Sequence, residues 1–206
     1  MSLGASIEPP VGPVEPGSVA EWLVRVTNEG PGADVARLQV AGAAAAWAWV
    51  APSSLDLGPG TEGQARITVR VPRAPSPPAG RLPYELRVTS ATGGPCCTIG
   101  GHIEVAAFHA AHASLAPAVA HSRGPADFAV SVDNRGNRPM AVGVTVAAGE
   151  GLAASVEPPQ LVVAAGATAT ATVRARPAAR TRGQARHGFM VRVEAGDEVI
   201  EVPGAL

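Results

Sequence analysis

The sequence predicts an all-β protein made of two tandem β-sandwiches, and three observations carry that prediction. The first is an internal duplication: Val24-Arg25-Val26-Thr27-Asn28-Glu29-Gly30 returns as Val130-Ser131-Val132-Asp133-Asn134-Arg135-Gly136. Asn28 and Asn134, Pro52 and Pro158, Leu55 and Leu161, and Gly60 and Gly166 are each 106 residues apart. A bias toward Ala and Val does not place several anchors at one offset. The second is a period of two in the apolar residues, the signature of half-buried strands. The third is the recurrence of turn residues at roughly the 8–12-residue spacing of sandwich strands, without a convincing helix. A chain of 206 residues accommodates two such domains, expected over residues 1–106 and 107–206.

In the first copy, residues 7–16 are rich in Pro, Val and Glu and should be extended, with Pro at edge or turn positions. Residues 19–27 alternate, with Trp22, Val24 and Val26 inward. Asn28-Glu29-Gly30-Pro31-Gly32 is a turn by composition, because Asn and Gly tolerate positive φ. Residues 35–41 form the next strand, with Leu38 and Val40 inward, and Trp47, Trp49 and Val50 lead into a short strand before Pro52. Leu55 and Leu57 share a face ahead of the Pro59-Gly60 turn, and residues 65–71 alternate again. Four prolines in residues 72–80 remove four amide donors, which makes that segment a loop. Tyr84, Leu86 and Val88 are the inward face of the following strand, residues 91–95 are a turn, and residues 97–105 are the last strand.

The second copy follows the same order. Phe128, Val130 and Val132 stand for Trp22, Val24 and Val26; Val144 and Val146 for Leu38 and Val40; Val156 for Val50. Leu161 and Val163 match Leu55 and Leu57, and residues 171–175 form the alternating strand. Residues 183–193 repeat residues 80–88, with Phe189 at the place of Tyr84. Residues 106–120 are rich in Ala, but Pro117 and their position between two sandwiches make them a linker leading into the first strand.

Composition narrows the function. Charged residues are 16% of the chain, below the roughly 25% of an average domain. Hydrophobic residues are 46% and aromatics 3%. Cores of such small side chains bury little area each, so modest stability is expected at about 25 cal/mol per Å². The net charge is −1, with no basic block or stacking aromatics, which argues against a nucleic-acid partner. All 16 basic residues are Arg, a pattern that reads as the codon bias of a GC-rich bacterial genome. The longest apolar run, residues 41–50, is too short for a membrane span. The N-terminus lacks a basic region followed by an apolar one, so a cytoplasmic address is expected, with a surface or secreted one if a leader has been removed. Cys96 and Cys97 are adjacent, a poor geometry for a stabilising intramolecular disulfide.

No catalytic residue, cofactor site or metal site emerges. Nucleophile elbow, phosphate loop and dinucleotide fingerprint are all missing, and the carboxylates are scattered. His109 and His112 fall in the expected linker, and with His102, His121 and His187 they match no zinc spacing. Asp133 beside Asn134 is read as a turn residue rather than a calcium ligand. Two features remain as candidate partner-binding residues. Trp47 and Trp49 are two apart, so on a strand they share a face. One reading makes them a core or interdomain plug, the other an exposed platform for a sugar ring or a protein. Arg180, Arg182 and Arg186, with His187, form a small basic cluster suited to an acidic partner.

These phrases resemble tandem immunoglobulin-like modules of bacterial multidomain proteins, in the style of alpha-galactosidase-associated and hydin-like modules of actinobacterial type. The Pro16-Gly17 lead-in, the strand ending in Asn28-Glu29-Gly30, the step Trp49-Val50-Ala51-Pro52 and the turn Leu55-Asp56-Leu57-Gly58-Pro59-Gly60 carry the resemblance. The second copy keeps Asn134-Arg135-Gly136 and Val156-Glu157-Pro158 but lacks the tryptophans. The resemblance implies an immunoglobulin-like fold and no shared catalytic set. The expected function is that of a non-catalytic scaffold or docking subunit of a larger bacterial assembly, of which a phage-like particle is one example. The rival reading is a carbohydrate-binding or cell-surface accessory module that uses Trp47 and Trp49.

Overall fold

In the computed structural model, which describes residues 3–8, 12–91, 93, 97–122, 124–178 and 186–206, each copy is an immunoglobulin-like β-sandwich. The chain divides into two compact units, Met1–Arg73 with Pro77–Ala107, and Phe108–Leu206 with Ala74–Ser76. In the first unit the strands are β1 (Leu3–Glu8), β2 (Ala20–Asn28), β3 (Asp34–Gly42), β4 (Ala48–Ala51), β5 (Ser54–Leu57), β6 (Glu62–Val69), β7 (Gly80–Ser90) and β8 (Cys97–Val105). In the second they are β9 (Ala111–Ala116), β10 (Ala126–Asn134), β11 (Met140–Ala148), β12 (Leu152–Glu157), β13 (Gln160–Val163), β14 (Thr168–Pro177), β15 (Gly188–Ala195) and β16 (Glu198–Ala205).

The strands form four antiparallel sheets with orders β1-β2-β6-β4, β5-β3-β7-β8, β9-β10-β14-β12 and β13-β11-β15-β16. Strand for strand, the second pair of sheets repeats the first. The duplication seen in the sequence is therefore a duplication of topology. Among the described residues each copy has eight strands rather than about seven, because both short strands before the central turn pair, one with each sheet.

The period-two alternation decides which face is buried. Trp22, Val24 and Val26 on β2 and Ile67 and Val69 on β6 meet Leu38, Val40, Leu86, Val88 and Ile103 from the facing sheet. Phe128, Val130, Val132, Val173, Val142, Val144, Val191 and Val193 do the same in the second unit. An aromatic pair anchors each core: Trp22 and Tyr84 with ring centroids 5.0 Å apart, Phe128 and Phe189 with centroids 4.8 Å apart. Such pairs add about 0.5–1.5 kcal/mol beyond their buried area.

Beneath each second ring lies a glycine on the neighbouring strand. Gly101 is registered with Tyr84 and Gly204 with Phe189. A Cβ at Gly101 would stand 2.6 Å from the Tyr84 ring, and one at Gly204 would stand 2.3 Å from the Phe189 ring. The aromatic lies across the bare backbone in both copies, the arrangement by which rings compensate strand glycines.

The turn residue Asn28 is a buried hydrogen-bond node rather than an exposed turn former. Its side-chain amide donates to the carbonyls of Gly32 (2.8 Å) and Leu57 (3.1 Å), and its Oδ1 accepts from the Gly30 amide (2.9 Å). Asn134 repeats all three with Arg138 (2.8 Å), Val163 (2.9 Å) and Gly136 (2.9 Å). The backbone carbonyls of Asn28 and Asn134 accept from the Gly60 and Gly166 amides. These glycines sit at φ 68° and 71°, in the left-handed region that favours glycine. Two of the four anchors at one offset, the asparagine and the glycine, are thus parts of one device that locks the turn after the second strand of each copy to the turn before its sixth.

After β1 the chain crosses to the other sheet, where Val14 bridges Val105 in parallel; Val119 bridges Ala205 in the same way in the second copy. This partly covers the β8 and β16 edges and leaves the four-residue strands β4 and β5 as short edges of the first unit, one of the ways sheets limit uncontrolled pairing.

Three expectations are corrected. Residues 106–120 are not wholly linker: β9 occupies Ala111–Ala116, with Ala111, Ala113 and Leu115 packed on the second core and His112 facing out. Asp133 belongs to β10 rather than to a turn and accepts a hydrogen bond from Thr168 Oγ1 at 2.7 Å. Trp47 and Trp49 do not share a strand face, for the reason given below.

Candidate functional site

The site is built where β3 ends. Ala43–Ala46 form a single turn of 3₁₀-helix, short as such turns are, with Ala44 buried in the core. The turn closes through the Trp47 amide, which donates to the Ala44 carbonyl at 3.0 Å. Trp47 is therefore the residue that ends the helical turn, and its indole packs against the first core. Its carbonyl accepts from the Arg70 amide at 2.8 Å, which delivers the chain to the edge of the sheet. β4 then alternates: Ala48 and Val50 point inward, Trp49 and Ala51 outward. Because strand geometry begins only at Ala48, the two-residue spacing does not put both indoles on one face.

Trp49 is 49% exposed, on a strand that pairs with β6 alone and forms the sheet edge. Among the described residues, the other large exposed hydrophobic side chains are all valines. Inward from Trp49 its row continues through Thr68 on β6 and Glu21 on β2. The face around it carries ion pairs: Glu21 with Arg66 at 3.4 Å, and Arg25 with Glu8 at 3.1 Å and Glu62 at 3.4 Å. The hydrogen bond to Glu8, followed by the attraction of the same carboxylate, raises the Arg25 pKa. Exposed pairs of this kind contribute little to stability, but they make a polar surround for one aromatic ring. In the second copy Ser155 holds the Trp49 position, registered with Arg174 and, beyond it, Asp127.

Of the basic cluster, Arg180 and Arg182 lie outside the described residues. Arg186 is exposed. His187 is half-buried, its Nδ1 3.1 Å from the Glu150 carbonyl oxygen and its backbone paired with Leu206, so its ring is held against the second unit. Cys97 has a free thiol and packs against the first core; Cys96 lies outside the described residues. Among the described residues no three His, Cys, Asp or Glu side chains gather where they could hold a metal ion, and no helix is long and apolar enough to cross a membrane.

Sequence reading missed a second feature. On the outer face of the sheet β5-β3-β7-β8, a shallow depression of about 660 Å³ is lined by Arg37, Gln39, Ser53, Ser54, Arg87 and Thr89. The signal was present as the outward positions of β3 and β7, where polar residues alternate with the apolar ones already assigned inward. Only the register brings the two arginines together.

Comparison with known proteins finds no matching family model and no matching curated protein. Among solved structures the chain is similar to the D00-D0 domain of intimin, at 11% identity and TM-score 0.44 over 98% of both chains. It is also similar to the Escherichia coli chaperone DraB, at 11% identity and TM-score 0.37 over 96% of this chain and 97% of that one. A third is the class 5 fimbriae chaperone CfaA, at 9% identity and TM-score 0.34 over 98% and 99%. At these identities and scores the likeness adds nothing to the sheet order described above, on which the fold rests.

Proposed function

We infer that this chain is a non-catalytic interaction protein, a scaffold or docking subunit of a larger bacterial assembly such as a phage-like particle. The observation that carries the reading is Trp49: a half-exposed indole on the edge strand β4, at a position the duplicated fold fills with Ser155 in its other copy. A residue that one copy does without is not required to close the sandwich. Tryptophan is also the side chain most enriched among residues that dominate protein interfaces. Beside it, the outer edge of β4 offers unpaired backbone groups to an incoming strand.

The phrase-level resemblance to alpha-galactosidase-associated and hydin-like modules supports the same class of role. A cytoplasmic address belongs to the proposal. The carbohydrate reading is weaker, because Trp47 packs inward and a sugar would find one ring instead of two. The test is affinity capture of the full chain from its native host followed by mass spectrometry. The proposal expects one protein partner at constant stoichiometry across replicates. A chain that comes out alone each time, or that binds glycans tightly and proteins not at all, overturns it.

A further inference from the structure

We propose that the depression on the outer face of the sheet β5-β3-β7-β8 is a docking site for an acidic segment of a protein partner, with Arg37 as the principal contact. The proposal rests on the reading of the chain as an interaction protein but uses a different sheet from Trp49. The lining contains two guanidinium groups and no carboxylate, together with the hydroxyls of Ser53, Ser54 and Thr89 and the amide of Gln39.

The register explains how these groups converge. Arg37 on β3 is flanked by Ser54 on β5 and Thr89 on β7. The neighbouring row places Gln39 beside Arg87. Leu38 between them turns inward, its amide held by the Ser53 carbonyl at 2.8 Å, which fixes Ser53 at the rim.

The two arginines differ. Arg87 is neutralised on its own strand by Glu85, at 3.0 Å. Arg37 makes no ion pair among the described residues; Asp56, which also faces outward on β5, is registered with Val35 and makes none either. The depression therefore presents a planar cation with no ion-pair partner among the described residues, ringed by hydrogen-bonding groups. Guanidinium groups are suited to bidentate recognition of carboxylates.

The other copy shows what the bare fold does at the same place. Gly143 stands at the Arg37 position, registered with Gln160 and Glu194. Arg192, matching Arg87, pairs with Glu194 at 3.2 Å, and Glu194 occupies the position of Thr89. The second copy thus lacks the free cation and supplies its own carboxylate. The fold closes without Arg37 and Thr89, so their pairing in the first copy answers another demand. An open, shallow surface fits an extended peptide chain better than an enclosed small molecule.

The test is an amide NMR titration of the full chain with a short peptide alternating Glu and Gly, with inorganic phosphate and the corresponding Lys peptide as parallel arms. The expected result is saturable shifts at Arg37, Gln39, Ser54, Arg87 and Thr89, with none at Gly143, Thr145 or Glu194. Arg37→Gln should weaken binding about tenfold, the loss of one charged hydrogen-bonded contact. Thr89→Glu, which installs the carboxylate of the second copy while keeping both arginines, should abolish it. Tryptophan emission checks that each variant is folded. Absence of site-specific shifts, equal shifts in both copies, full binding by Thr89→Glu, or phosphate reproducing the shifts while the peptide fails to displace it would overturn the proposal. A failed titration leaves binding at Trp49 standing, whereas a chain without partners in its host can still pass this one.

Discussion

Asn28 and Asn134 each supply two donors and one acceptor to three buried or half-buried backbone groups. Removing them leaves those groups unpaired, at about 1–3 kcal/mol for each buried group orphaned. Asn28→Ala should therefore cost the first unit about 3 kcal/mol, read by urea unfolding followed through tryptophan emission, since all three tryptophans lie in that unit. Asn28→Asp should be at least as damaging at neutral pH, because it keeps the acceptor for Gly30 and turns a carboxylate on two carbonyls. Rescue by Asp would show that the donors are unimportant.

Tyr84 makes a second residue-scale prediction. Burial raises its pKa above the ordinary 10.0, so the folded state holds the phenolic proton longer than the unfolded chain. Its contribution is fully present below about pH 10 and is lost as pH rises from there through the folded-state value. It is the only tyrosine in the chain, so tyrosinate absorbance reports it alone. Ionisation should begin above the pH of a free tyrosine, and Tyr84→Phe should flatten this part of the stability profile. An ordinary titration in the folded protein contradicts the burial argument.

At the scale of elements, legibility followed side-chain contrast. β2, β3, β6 and β7 alternate large apolar with polar residues and could be read directly, down to which residues face the core. β9 could not, because its inward residues Ala111 and Ala113 barely differ from an alanine linker, although His112 and Ser114 alternate with them. β16 was blurred by Val199, an exposed apolar residue on the outward face. The placement of Trp47 failed for a different reason: one 3₁₀ turn shifts where strand geometry starts, and periodicity cannot register that.

The ring-over-glycine pairs also escaped notice, since the glycines carry no apolar signal. They are testable. Gly101→Ala should destabilise by about 1–3 kcal/mol through overpacking, and Tyr84→Leu in the same chain should recover part of that loss. Gly204→Ala should cost at least as much, because its Cβ would also meet Leu115 at 2.7 Å. Neutral behaviour of both alanine variants in thermal unfolding would show that the rings do not depend on the bare backbone.

At the scale of the molecule, the two copies serve as each other's control. What they share, namely the asparagine node, the aromatic pair, the ring over glycine and the bridged crossing after the first strand of each copy, closes the sandwich. What the first copy has and the second lacks at the matching position, namely Trp49 at an open edge and Arg37 without an ion-pair partner among the described residues, lies on its surface. The measurement that tests this division most directly is quantitative capture from the native host with the full chain, Trp49→Ala and Ser155→Ala side by side. Ser155→Ala should change stability by no more than about 0.5 kcal/mol, and Trp49→Ala, which gives up the buried half of the indole, by about 1–3 kcal/mol, so thermal unfolding checks that each variant is folded at the capture temperature. The account predicts that the partner is lost with Trp49→Ala and retained with Ser155→Ala; a partner that survives Trp49→Ala undiminished would contradict it.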